Sequence, residues 1–121
     1  MHRILIAEDH TAMRHALRNL FTQYDKWEVC GEAADGKEAV DAAVELKPDL
    51  VLLDYKMPSK DGIEAASDLK QKLPETPVVI FTLNKTHQLE AMAQEVGVRA
   101  VVGKEEGLTE LLRTVDKEVS H

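Results

Sequence analysis

Runs of apolar residues alternate with amphipathic stretches along the whole of this 121-residue chain. Leu50-Val51-Leu52-Leu53 and Val78-Val79-Ile80-Phe81 are continuous apolar runs, the mark of strands buried on both faces. Arg3-Ile4-Leu5-Ile6-Ala7 and the segment from Val98 to Val102 read the same way, the latter interrupted only by Arg99. Trp27 to Ala33 instead alternates apolar and polar with period two, so it predicts a strand nearer the sheet edge.

Between these runs the spacing changes to three and four. Met13, Leu17, Leu20 and Phe21 predict a first helix, with Thr11 or His10 as its cap. Ala39, Val40, Ala43, Val44 and Leu46 point inward from a second helix over Lys37 to Leu46, which Lys47-Pro48-Asp49 ends. Gly62 opens a third, with Ile63, Ala66, Leu69 and Leu73 on one face. Leu89, Met92, Ala93 and Val96 mark a fourth, closed by Gly97. Leu111, Leu112, Val115 and Val119 mark a fifth, over Leu108 to Val119.

The order is strand then helix, five times over. Strands joined by helices must run parallel, with right-handed crossovers. The expected fold is therefore α/β: an open, doubly wound, five-stranded parallel sheet with helices on both faces. Strand order 2-1-3-4-5, as in flavodoxin-like (βα)5 folds, suits five units. One domain over residues 1–121 is expected, with one aliphatic core.

That topology makes the charged strand ends meaningful. Ligands of open α/β sheets bind outside the carboxyl ends of the strands, where the strand order reverses. Glu8-Asp9 follow the first strand and Asp54 follows the third; strands 1 and 3 are neighbours across the reversal. Thr82 and Lys104 arrive at the same rim from strands 4 and 5. Taken singly, each has a plain structural reading: Asp54 caps a turn, Glu8-Asp9 start a helix, Thr82 ends a strand, Lys104 is a surface lysine. Together they form a constellation.

Carboxylates crowded at one rim repel. Two unit charges about 5 Å apart cost on the order of 3 kcal/mol at an effective dielectric near 20. Protonation or a cation must relieve this. Oxygen donors with open positions suit Mg2+, which keeps several waters and accepts phosphate oxygens. Asp9 and Asp54 are the expected direct ligands, Glu8 a ligand through water, and the backbone carbonyl of Lys56 a fourth contribution. A carboxylate is also a nucleophile toward phosphorus. Lys104 is placed to add positive charge to a transferring group, and the Thr82 hydroxyl to donate to a phosphorylated Asp54. Lys56 and Asn84 flank the acceptor, where they tune the phosphoryl lifetime or are simply solvated loop residues.

The whole chain resembles the bacterial two-component response-regulator receiver domain. The shared features are an acidic pair after strand 1, Asp54 followed by Met57-Pro58 and Asp61-Gly62, Thr82 after strand 4, and Lys104 after strand 5. The resemblance implies that Asp54 accepts a phosphoryl group from a histidine kinase or phosphotransfer protein with the help of Mg2+. It implies that Thr82 and Lys104 read the phosphorylated state, and that the face of the fourth helix, fifth strand and fifth helix carries the output to an attached domain or separate protein. A monomer and a phosphorylation-induced dimer through that face are both open. Three positions depart from the family pattern: Leu83 where a small residue is usual, Val101 where an aromatic is usual, and Glu105 where proline is common.

Formal net charge is −7, which argues against nucleic-acid contacts from this chain. Neither a signal-peptide core nor a run of about 20 apolar residues is present, so a cytoplasmic location without membrane contact is expected. Cys30, the single cysteine, is expected to be a buried packing residue. His10 and His15 show no zinc-ligand spacing and are expected to be surface or helix-start residues. A receiver-like protein whose output ignores phosphorylation is the alternative that Leu83 and Val101 motivate. A small Mg2+-dependent phosphohydrolase is weaker, because Lys56 stands where a second acid would be needed. A nucleotide or flavin binder is weaker still, because the loop after strand 1 has no glycine-rich cradle.

Overall fold

The structure, a computed structural model, describes residues 1–83 and 85–119. Five parallel strands form one sheet in the order β2-β1-β3-β4-β5: β1 (His2–Ala7), β2 (Trp27–Ala33), β3 (Leu50–Leu53), β4 (Val78–Thr82) and β5 (Ala100–Gly103). The helices between and after them are α1 (Thr11–Thr22), α2 (Gly36–Leu46), α3 (Gly62–Lys72), α4 (His87–Glu95) and α5 (Leu108–Val119). The expected α/β architecture and strand order are both present. No helix among the described residues is long and apolar enough to cross a membrane.

The continuous apolar runs are explained by two cores, one on each face of the sheet, where a single core was expected, because helices cover both faces. Successive side chains of a strand point to opposite faces. Val51 and Leu53 of β3 therefore join Leu5, Ala7, Val78 and Ile80 against α2, α3 and α4. Leu50 and Leu52 join Ile4, Ile6, Val79 and Phe81 against Leu17 and Phe21 of α1 and Leu111 and Val115 of α5. Small residues (Ala39, Ala43, Ala65, Ala66 and Ala93) line the first core and let three helices lie close to the sheet.

Several local readings shift. β2 does not alternate throughout: Ile4 pairs with Val29 and Leu5 with Gly31, so Cys30 is the extra residue of a bulge. Cys30 is half-buried and packs against the first core, and burial raises its thiol pKa, in keeping with a packing role. Val44, expected inward, is exposed. On α2 the positions Ala39, Val40 and Ala43 already fill the stripe facing the sheet, and Val44 falls past its edge. β5 starts at Ala100 rather than Val98, because the Val98 N–H donates to the Ala93 carbonyl in the turn that ends α4. Gly97, in that turn, has φ +84°, as a glycine closing a helix does.

Candidate functional site at the carboxyl rim of the sheet

Sheet hydrogen bonding runs one step beyond the strands and thereby aims the acidic residues. The Glu8 N–H donates to the Ala33 carbonyl at 3.0 Å, and the Asp54 N–H donates to the Ala7 carbonyl at 2.9 Å. Ala7 pairs with Leu53, so Glu8 and Asp54 leave adjacent strands at the same level. The Arg14 guanidinium donates to the Glu8 carbonyl at 2.8 Å and holds that turn from α1.

The loop after Asp54 is seated by two glycines. The Gly62 N–H donates to the Tyr55 carbonyl at 2.7 Å, and a Cβ at residue 62 would lie 2.5 Å from the Asp54 carbonyl oxygen. Gly36, at the start of α2, packs directly on the Lys60 carbonyl with no room for a side chain. Asp61 caps α3, accepting from the Glu64 N–H at 2.8 Å while Glu64 accepts from the Asp61 N–H at 3.0 Å. The Asp61-Gly62 turn was legible in the sequence; the role of Gly36 as a seat for this loop was not.

Lys104 immediately follows β5, in a short 3-10 turn over Lys104–Glu106. Its Nζ lies 2.9 Å from Glu8 Oε1 and 3.5 Å from Asp54 Oδ2, so one ammonium is shared by two carboxylates. Glu8 is 1% exposed and Asp54 6%. Asp54 Oδ1 also accepts from the Tyr55 N–H at 2.7 Å. Burial pushes the Glu8 carboxyl up, but the Lys104 hydrogen bond and the His10 N–H outweigh it and hold Glu8 below its ordinary value. Burial, then the Glu8 charge, push Asp54 up to about 6 against the pull of Lys104. The two acids thus divide their roles: Glu8 holds the charge and Asp54 is the more easily protonated.

Thr82, buried, ends β4 and pairs in register with Gly103, next to Lys104. Lys56 is exposed in the loop two residues past Asp54. Leu83 stands 67% exposed at the rim, and Val101 is half-buried against the first core. Asn84 lies outside the described residues. Glu8, Asp9, Asp54, Thr82 and Lys104 lie at or just after the ends of β1, β3, β4 and β5.

His10 is the addition. Its ring is exposed, as expected, but Nδ1 lies 3.2 Å from Glu8 Oε2 and 3.3 Å from Asp9 Oδ1. Glu8, Asp9, His10 and Asp54 each offer one ligand atom, and these atoms lie within 4.8 Å of one another. Among the described residues, Asp9 Oδ1 is buried and accepts no hydrogen bond. An orphaned carboxylate oxygen beside two further carboxylates fits a divalent cation.

The family model for the response regulator receiver domain matches residues 4–116. The chain belongs to that family. It is 38% identical over 118 residues to the transcriptional regulatory protein PdtaR of Mycobacterium tuberculosis, covering 98% of this chain and 57% of that protein. The chain thus spans a little over half the length of that curated relative. The solved response regulator domain of Thermotoga maritima CheB superposes with a TM-score of 0.91 at 30% identity, over 100% of this chain and 98% of that one. A CheX-CheY complex with BeF3 and Mg2+ from Borrelia burgdorferi matches with a TM-score of 0.87 at 26% identity, over 94% of this chain and 86% of the matched one. This receiver domain is a signalling domain, and its rim carries the acidic cluster.

Proposed function

We propose that Asp54 is the phosphoacceptor of this receiver domain, and that residues 1–121 act as one cytoplasmic switching unit. A carboxylate oxygen of Asp54 attacks the phosphorus of a phosphohistidine on a sensor histidine kinase or phosphotransfer protein. A P–O bond forms and the P–N bond breaks. Its electron pair stays with the nitrogen, which leaves as neutral imidazole when its other nitrogen carries a proton. The observation that carries this reading is the Lys104 ammonium, shared between Glu8 at 2.9 Å and Asp54 at 3.5 Å in a buried rim. It lies beside the carboxylate that is to receive a dianionic group.

Asp9 and Asp54, Glu8 through water, and the Lys56 carbonyl would hold Mg2+, which when bound supplies charge neutralisation for the transferring phosphoryl oxygens. The remaining steps belong to the chain. Lys104 turns from Glu8 toward a phosphoryl oxygen. The Thr82 hydroxyl donates to another, drawing the end of β4 toward Asp54. The displacement reaches the face of α4, β5 and α5, which contacts an output domain or protein. No turnover on a free metabolite is part of this function, and the acidic chain makes no nucleic-acid contact of its own.

Leu83 and Val101 favour one second reading, a module whose partner binding ignores phosphorylation. Intact mass after incubation with acetyl phosphate and Mg2+ separates the two. One added phosphoryl group, lost in Asp54→Asn and without metal, is the expected result. An adduct that persists in Asp54→Asn would remove Asp54 as the acceptor. Absence of an adduct, together with absence of Mg2+-dependent beryllofluoride binding, would decide for the second reading.

A further inference from the structure

We infer that His10 supplies a nitrogen donor to the cation site, so that the rim selects a first-row divalent transition ion such as Mn2+ over Mg2+. The inference rests on reading the rim as a cation site. It goes beyond that reading in the ligand set and in the ion preferred.

The position of the ring carries it. His10 occupies the cap position of α1 with extended backbone, φ −81° and ψ 114°, yet its side chain makes no capping bond. The ring turns instead toward the acids, with Nδ1 in hydrogen-bond reach of Glu8 Oε2 at 3.2 Å and 3.3 Å from Asp9 Oδ1, a buried oxygen that accepts no hydrogen bond among the described residues. The His10 N–H donates to Glu8 Oε2 at 3.1 Å, so the backbone that bears the ring is fixed against the cluster. Octahedral ligands of a small divalent ion stand about 3 Å apart when adjacent and about 4 Å apart when opposite. The four donor atoms of Glu8, Asp9, His10 and Asp54 lie within 4.8 Å of one another. Asp9, His10 and Asp54 can then share one ion directly, with Glu8 reaching it through water. The His10 side chain is 70% exposed, so little packing opposes its movement.

Donor chemistry sets the preference. Mg2+ takes oxygen ligands and gains little from imidazole; affinity for a nitrogen donor rises along the first-row series, and even Mn2+, its weakest member, gains more than Mg2+ does. The carboxylates serve both kinds of ion. The histidine serves only one. His10 therefore shifts the ratio of affinities while leaving Mg2+ binding nearly as the carboxylates set it.

The test uses the full chain. Free Mn2+ is followed by electron paramagnetic resonance during titration, with Mg2+ as competitor, for wild type, His10→Ala and Asp54→Asn. Spin-echo modulation reads nitrogen bound to Mn2+. Wild type should show histidine nitrogen on Mn2+. His10→Ala should lose it and lower the Mn2+:Mg2+ affinity ratio about tenfold, with Mg2+ affinity changed less than about twofold. The same ratio in both proteins, with no nitrogen modulation in wild type, would overturn the inference and leave the carboxylate cation site standing. Failure of wild type to bind either ion would overturn the cation site itself, and His10's place in it.

Discussion

Asp54 is where the cost of burying a charge falls on the residue we propose as the phosphoacceptor. Its folded value, about 6, lies above the ordinary 3.8, because burial and the Glu8 charge disfavour the ionised form. A group raised by folding contributes stability that is complete below its unfolded value and is lost as pH rises through its folded value. The metal-free protein should therefore lose stability relative to Asp54→Asn between pH 4 and pH 7.5. At pH 7.5 the Asn variant should be more stable by roughly 1–3 kcal/mol, a gap that closes near pH 4. Urea unfolding in chelator at the two pH values measures this, and a gap independent of pH would contradict it. The place of Asp54 at the rim was legible in the sequence, since it ends an apolar run at the reversal of strand order. Its pairing was not. That Lys104 bonds to Glu8 at 2.9 Å and stands farther from Asp54, at 3.5 Å, depends on a side-chain conformation among several carboxylates, which spacing along the chain does not encode.

At the scale of elements, the loop between β3 and α3 shows how backbone contact shapes the site. Gly62 has no positive φ among the backbone angles that would demand glycine. Its constraint is close approach, a Cβ there falling 2.5 Å from the Asp54 carbonyl oxygen and 3.0 Å from the Tyr55 Cα. Both are backbone atoms, so relief requires moving the segment that carries Asp54. Gly62→Ala gains up to about 1 kcal/mol from lower unfolded-state entropy. The clash should exceed that, for a net loss of about 1–2 kcal/mol in urea unfolding, accompanied by weaker phosphoryl-analogue binding. A variant as stable as wild type, with unchanged binding, would show that the loop gives freely. The sequence marked this glycine through Asp61-Gly62 and the later hydrophobic period. It did not mark the bulge at Cys30 or the outward turn of Val44. A bulge depends on what the neighbouring strand offers. Val44 has the right residue type in nearly the right place, and only the width of the stripe under α2 decides against it.

For the whole molecule, the question is whether an event at Asp54 reaches the far face. Alternating apolar runs and helices gave five βα units, and four right-handed crossovers between the strands left few strand orders to choose among. That order makes β4 and β5 neighbours, with Thr82 opposite Gly103. The segments following the two strands are also tied. Lys85 Nζ lies 3.3 Å from Glu90 Oε1 and 3.0 Å from Glu106 Oε2, and Glu106 in turn accepts from the Gly103 N–H at 2.7 Å. Exposed ion pairs of this kind add little stability, yet they join the start of α4 to the turn that carries Lys104. A pull on Thr82 thus has a route to α4 without the aromatic side chain that Val101 replaces. Amide hydrogen exchange with beryllofluoride and Mg2+ should slow over residues 85–90 and 103–107, as well as beside Asp54. Thr82→Ala should keep the protection beside Asp54 and lose it over those two segments. Protection confined to the rim in wild type would mean that Val101 has broken the transmission, and that this receiver meets its partner in a single conformation.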